Sequence, residues 1–276
     1  MYIMRRFFYV ASFLFFFIPI SIYGQQIKHL GIYDGIRSGA VRSFERDTLG
    51  YMWIGSSQGL NRYSGYQFKN YDKFIKNGVV DIISKDGNLF VLGSKGELLQ
   101  YNYEQDNFKQ ILDLKSLKFL SFELISQNTI IIGLQKGLLI YDIKSKILSK
   151  VLHSKTLFNR KIKVKDKQIY VASTKGIIVY DYFENSNDLV KSKTYLKNKE
   201  ILDFAFDNKN RICAGTYQKG LYIIDHKKVQ KVKLYDKRIK TYTIRSIEFD
   251  RNNNLLVALE GAGLLIMDKN YKVIHT

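Results

Sequence analysis

One pattern recurs six times along this chain, and it restricts the fold more than any other feature. An apolar strand ends in a small residue, a turn closes on glycine, and a second apolar strand follows. The copies begin at Tyr51-Met52-Trp53-Ile54-Gly55, Leu89-Phe90-Val91-Leu92-Gly93, Ile130-Ile131-Ile132-Gly133, Ile169-Tyr170-Val171-Ala172-Ser173, Ile212-Cys213-Ala214-Gly215 and Leu255-Leu256-Val257-Ala258-Leu259. Their turn glycines are Gly59, Gly96, Gly137, Gly176, Gly220 and Gly263, separated by 37, 41, 39, 44 and 43 residues. Short strands repeated at a period near 40 describe propeller blades, because one small sheet cannot bury both of its apolar faces without neighbours.

Each unit divides into four strands. In the first these are Val41–Arg46, Tyr51–Gly55, Leu60–Tyr63 and Tyr66–Tyr71, parted by the turn sequences Asp47-Thr48-Leu49-Gly50, Ser57-Gln58-Gly59 and Ser64-Gly65. The reading is an all-β propeller of about six four-stranded blades over 25–276, with blades near 38–74, 78–113, 118–153, 160–197, 200–236 and 243–276. Closure has two solutions. A strand at Ile27–Ile32 completes the last blade, or Lys272-Val273-Ile274-His275 supplies its fourth strand and the ring is either closed by six blades or an incomplete seven-bladed one. The small residues Gly55, Gly93, Gly133, Ser173 and Gly215 suit close approach of one sheet to the next.

The first 24 residues read as an export signal. Arg5 and Arg6 precede an apolar run over Phe7–Ile18, Pro19 breaks it, and Gly24 offers a small residue at the cut. The run is short for a membrane span, so an uncleaved anchor is the lesser alternative, and no later stretch qualifies as a span. A periplasmic or secreted location follows. The net charge of +19, from 44 Lys and Arg against 25 Asp and Glu, fits attraction to a polyanion or a plainly solvated lysine surface. Export argues against nucleic acid as the partner.

The residues around the first repeat carry a family resemblance. Asp34-Gly35-Ile36, Val41-Arg42-Ser43-Phe44-Glu45-Arg46-Asp47, Gly50-Tyr51-Met52-Trp53-Ile54-Gly55, Gly59-Leu60-Asn61-Arg62-Tyr63 and Gly65-Tyr66-Gln67-Phe68 with Tyr71 resemble the two-component regulator propeller repeat. The match is specific over 34–71 and looser in the other five units, which lack the equivalent of Trp53. The resemblance implies the periplasmic sensor region of Bacteroidetes-type hybrid two-component systems, a ligand that is often a glycan fragment, and a sensor kinase as signalling partner. The chain departs from that family in length, since no three-tyrosine domain, membrane helix, kinase or regulator sequence occurs in these 276 residues.

Chemistry-bearing motifs are sparse. His29, His153, His226 and His275 have no metal-ligand spacing, and Cys213 sits alone in an apolar run, so no metal, disulfide or cofactor is expected. No phosphate loop, nucleophile elbow or distinct carboxylate pair stands out, and the chain reads as non-enzymatic. One repeated feature has binding potential: the residue before the turn glycine is Lys95, Lys136, Lys175 and Lys219 in four successive units. On one face of a ring these four, with Arg62 and with Arg42 and Arg245 nearby, form an arc suited to the carboxylates or sulfates of an anionic glycan. Tyr63, Tyr103, Tyr141 and Tyr180 read as blade-packing residues. The leading expectation is a ligand-sensing propeller for a carbohydrate. A polysaccharide lyase or hydrolase and a protein-interaction scaffold are the alternatives.

Overall fold

The computed structural model describes residues 30–36, 40–75, 77–114, 117–153, 158–186, 188–234 and 242–275. The predicted export signal, His29 and residues 27–29 of the candidate closing strand lie outside them.

Among the described residues, 24 strands form six antiparallel four-stranded sheets, each made from consecutive strands. The first blade holds β1 (Val41–Arg46), β2 (Met52–Ser56), β3 (Gly59–Tyr63) and β4 (Phe68–Asn70). The second holds β5 (Val79–Lys85), β6 (Asn88–Gly93), β7 (Glu97–Asn102) and β8 (Asn107–Asp113), and the third β9 (Phe119–Leu124), β10 (Thr129–Leu134), β11 (Gly137–Asp142) and β12 (Ile147–His153). The fourth holds β13 (Asn159–Lys165), β14 (Gln168–Ser173), β15 (Gly176–Phe183) and β16 (Asp188–Tyr195). The fifth holds β17 (Ile201–Phe206), β18 (Ile212–Thr216), β19 (Leu221–Asp225) and β20 (Lys228–Val232), and the sixth β21 (Ile244–Phe249), β22 (Leu255–Leu259), β23 (Gly263–Met267) and β24 (Val273–His275). The chain is therefore an all-β propeller of six four-stranded blades.

The turn glycines are required by the backbone. Gly59, Gly96, Gly137, Gly176, Gly220 and Gly263 all have positive φ, from +82° to +154°, where a Cβ is disfavoured. The small residues of the second strands have a separate reason, and register corrects two of the sequence assignments. Gly55, Leu92, Gly133, Ala172, Gly215 and Ala258 are the equivalent positions, pairing with the third residue of each inner strand. Gly93 and Ser173 stand one place further along, and a Cβ at Gly93 would meet Glu97 of its own blade. At Gly55 a Cβ would come within 2.5 Å of Val79 Cγ1, and at Gly215 within 2.5 Å of Ile244 Cγ2, both on the following blade. Close inter-blade contact excludes a side chain there.

Adjacent blades share apolar cores. Trp53 and Leu60 pack on Val79 and Ile82; Phe90 and Leu98 on Phe119 and Phe122; Ile131 and Leu138 on Ile162 and Val171. Tyr170 and Ile177 pack on Ile201 and Phe204, and Cys213 and Leu221 on Ile244 and Ile247. Burial pushes the Cys213 thiol up to about 12 and leaves it an inert core residue.

Among the described residues no such cluster joins the sixth blade to the first. Phe44 of β1 is 62% exposed, although its register equivalents Ile82, Phe122, Ile162, Phe204 and Ile247 are all buried. Leu264 of β23 is 46% exposed, although Leu60, Leu98, Leu138, Ile177 and Leu221 are fully buried. Among the described residues the ring is open on one side. Among the described residues of the N-terminal segment, Ile32–Asp34 is a 3-10 turn, and Gly35 lies against Phe68 on the outer strand of the first blade. The sixth blade takes its fourth strand, β24, from the C-terminal residues.

Candidate functional site

All six inner strands carry a register irregularity after their first residue, or at the matching place in the partner strand. A bulge at a constant position re-aims the residue that follows it. That residue is Ser43, Asp81, Ser121, Lys161, Asp203 and Ser246 in turn. Five of these six, all but Ser121, line a central cavity of about 580 Å3, together with Arg42, Glu45, Glu123, Lys163 and Glu248. Polar side chains thus face the axis at the one radius where the sheets cannot close on each other.

The first polar layer is internally bonded. Ser43 Oγ donates to Asp81 Oδ1 at 3.0 Å and accepts from the Ile82 amide at 3.1 Å. Asp203 Oδ2 accepts from Ser246 Oγ at 2.8 Å and from the Ile247 amide at 2.9 Å. Each of these bonds ties one inner strand to the next. Lys161 reaches back across the channel to Asp81 Oδ2 at 3.3 Å. Burial alone would lower the Lys161 ammonium, but Asp81 and Asp203 outweigh it and hold its pKa above the usual range. Burial dominates at Asp203 and raises its carboxyl, against the pull of Lys161.

A second layer lies two residues further along the inner strands. Here Lys163 pairs with Glu248 at 3.7 Å. Burial raises Glu123. Burial also pushes Glu45 up to about 7; Lys161 opposes the rise, and the Asp81 charge adds to it. The folded state therefore holds a proton on Glu45 that the unfolded chain has already released between about pH 4.5 and 7. Stability should fall as pH rises through that window and level off above it. We expect Glu45→Gln to flatten the dependence, with the variant gaining about 2 kcal/mol on the parent between pH 5 and pH 8. Urea unfolding at the two pH values checks this, and parallel curves for the two proteins would refute it.

The lysines named from the sequence lie elsewhere. Lys95, Lys136, Lys175 and Lys219 are all exposed, in the turns between second and third strands. Those turns are stapled to the entry of the inner strands, for example by Ser94 N to Gly78 O at 2.7 Å and Gln135 N to Lys118 O at 3.0 Å. The four therefore share one end of the ring, the end nearer the Ser43–Asp81–Lys161–Asp203–Ser246 layer. Lys95 also lines an outer hollow of about 420 Å3 with Phe74 and Glu97.

Arg62 is not brought to the other four. It sits in the seam between blades one and two, over the Tyr51 ring at 4.4 Å, and donates to Tyr101 Oη at 2.8 Å and Asp106 Oδ1 at 3.0 Å. Lys69, Tyr71 and Tyr101 converge on the same Asp106, whose carboxyl these bonds hold well below the usual range despite its partial burial. Arg42 lines the channel, and Arg245 pairs with Glu260 at 2.9 Å.

The remaining candidates are structural or exposed. Tyr141 and Tyr180 are buried, and Tyr63 stacks on Phe68 with centroids 4.6 Å apart. His226 is exposed beside Asp225. Among the described residues no three acidic, His or Cys side chains are grouped to hold a metal.

The aspartate after β1 was not singled out in the sequence. Asp47 accepts from the Leu49 and Tyr51 amides and from Trp53 Nε1 at 2.7 Å. Asp207 and Asp250 cap the same turn of blades five and six. Their constant place before a turn of Asn, Lys or Gly was the available signal.

This geometry defines a propeller with a central channel, and the comparisons agree with the propeller fold. The chain is similar to the extracellular domain of the hybrid two-component system BT3049 from B. thetaiotaomicron, with 16% identity and a TM-score of 0.56 over 87% of this chain and 41% of that one. It is likewise similar to the corresponding domain of BT4673, with 20% identity and a TM-score of 0.52 over 84% and 38%. Virginiamycin B lyase from Staphylococcus aureus shares the fold at 10% identity, with a TM-score of 0.68 over 85% and 83%. Histidine kinase P4 of Formosa agariphila is 36% identical over 62 residues, 21% of this chain and 4% of that protein. No family model matches. The propeller fold read from the repeats is thus shared with solved extracellular domains of two-component systems. The chain spans about two fifths of those extracellular domains. Among the described residues no helix is long and apolar enough to cross a membrane.

Proposed function

We propose that this chain is an extracytoplasmic, non-enzymatic ligand-sensing module of a two-component regulatory system, and that its ligand is a carbohydrate received at the mouth of the central channel. The observation that carries the reading is the 580 Å3 channel itself, where hydroxyl, carboxylate, ammonium and guanidinium groups from the inner strands stand beside the apolar Phe44, Ile82 and Ile83. Such a mixed lining supplies partners for the hydroxyls of a saccharide and apolar contact for the faces of its rings. The exposed Lys95, Lys136, Lys175 and Lys219 around the same end draw in an anionic glycan through their field. A sensor kinase elsewhere in the system reads the bound state. The signal at residues 1–24 and the extracellular neighbours support a periplasmic or secreted location.

Titration calorimetry with neutral and uronic-acid oligosaccharides tests the reading. Glu45→Arg, which plugs the channel from a half-buried wall position, should abolish binding of both. Reversing the four lysines to Glu should weaken the acidic oligosaccharide alone. Binding that survives Glu45→Arg would place the ligand elsewhere.

One observation favours a second reading. Glu45, titrating near neutrality close to Lys161, has the character of a general acid, and a lyase is among the fold neighbours. Steady release of reducing ends or unsaturated products from acidic polysaccharides, lost in Glu45→Gln, would select it.

A further inference from the structure

A hollow of about 620 Å3 opens in the seam between blades five and six, and it shares no lining residue with the central channel. Strand pairing sets Asp225 opposite Lys228, Ile223 opposite Gln230 and Leu221 opposite Val232, so these residues share the face of blade five that meets blade six. Buried Ile223 and Val232 close the floor within the core that joins the two blades, and Tyr271 of the β23–β24 turn packs against it. Around this floor stand Lys209, Arg211, Lys228, Lys231, Lys233 and Lys269, with Asp225 as the one carboxylate of the described lining. Asp225 is exposed and lies 2.7 Å from His226 Nδ1. Among the described residues none of the five lysines has an ion-pair partner.

The equivalent seam between blades one and two carries its own counter-ion. There the β7–β8 turn holds Asp106 at a φ of +48°, and its carboxylate accepts from Arg62, Lys69, Tyr71 and Tyr101. The corresponding left-handed residue of the β23–β24 turn is Tyr271, with a φ of +62°, and the turn brings Lys269 to the seam in place of an acid. Tyr271 organises the site in another way. Its hydroxyl donates to Asp207 Oδ2 at 3.1 Å, and its ring lies under the Arg211 guanidinium at 5.1 Å. Arg211 Nε donates to the same Asp207 oxygen at 2.7 Å. The guanidinium is thus fixed from two sides, while among the described residues neither of its Nη groups donates to the protein. Held in this way, it offers parallel N–H bonds to an oxyanion.

We propose that this hollow binds a small organic polyanion carrying clustered phosphate or sulfate esters, with Arg211 chelating one ester group and Lys209, Lys228 and Lys269 neutralising its neighbours. A uronic-acid oligosaccharide spreads one charge per sugar ring along a chain. Six cations around one hollow of this size suit several charges on a single compact ligand. The site is independent of the channel and stands whether or not a saccharide binds there.

Titration calorimetry at physiological salt, with inositol hexakisphosphate and inositol hexasulfate as probes, tests the proposal. Combining Lys209→Glu, Lys228→Glu and Lys269→Glu should weaken the tighter probe at least about thirtyfold. Combining Lys109→Glu, Lys144→Glu and Lys191→Glu makes the same change in net charge at exposed sites on blades two, three and four, and should weaken it less than about threefold, because salt screens distant charges. Arg211→Lys keeps the charge, loses the fork and should cost about tenfold. Tighter binding of the hexakisphosphate would assign phosphate esters to the site, and tighter binding of the hexasulfate would assign sulfate esters. Binding of neither probe, equal losses in the two triple variants, or an Arg211→Lys protein of unchanged affinity would overturn the proposal.

Discussion

Phe122→Ala should lower the free energy of unfolding by about 3–5 kcal/mol, the range for truncating a fully buried phenylalanine. Phe44→Ala, at the same place in the repeat, should change it by less than about 0.5 kcal/mol, as befits an exposed site. Phe122 lies in the core between blades two and three with Phe90, Leu92 and Leu98 against it, whereas Phe44 faces the open side. The contrast does not depend on side-chain chemistry, propensity or strand position, which the two share. Chemical denaturation of the two variants measures it directly. Equal losses would mean that Phe44 is buried in solution and that the ring is closed there.

Lys161→Met is the second change with a large expected effect. Lys161 is the cation that neighbours Asp81 and Asp203 across the channel, and both aspartates are buried. Removing it leaves two carboxylates to repel each other with little water to screen them. Breaking a buried pair costs several kcal/mol, and the partial hydration of Lys161 in the channel reduces this to about 2–3 kcal/mol. The loss should depend on pH. Asp203 already titrates above the usual carboxylate range, and without Lys161 it rises further, so acidification should restore part of the stability. Combining Lys161→Met with Asp203→Asn should recover more of it at neutral pH. A loss that is independent of pH and of the Asn substitution would assign Lys161 to packing instead of charge.

The fold was legible because repetition multiplies weak signals. No single run such as Leu89–Gly93 defines a blade, but six runs at a constant spacing from a positive-φ glycine do. The turn glycines were readable for the same reason. Register was less so. Gly93 looks equivalent to Gly55 because each is the small residue after an apolar run, yet strand pairing makes Leu92 the equivalent, four residues before Gly96 as Gly55 is before Gly59.

The site was mostly illegible. Ser43, Asp81, Ser121, Lys161, Asp203 and Ser246 share no side-chain chemistry beyond polarity, so no motif marks them. They emerge only after the bulge in each inner strand fixes which residue turns to the axis. The lysines did form a visible motif, and the structure shows them at one end of the ring, exposed. Arg62 lies three residues after the turn glycine Gly59, within β3, and pairing with Asp106 and the Tyr51 ring holds it in a seam. Blade closure could not be read at all, since apolar residues at Phe44 and Leu264 look the same whether covered or bare.

Cysteine scanning of the third-strand position that meets the next blade tests the account most directly. Leu60, Leu98, Leu138, Ile177, Leu221 and Leu264 would each be replaced singly by Cys and treated with a maleimide under native conditions. The account predicts rapid labelling at position 264 alone and protection at the other five, as their burial requires. Protection at 264 equal to the rest, or rapid labelling at any of the five, would contradict a ring of six blades joined by five cores and open at the sixth.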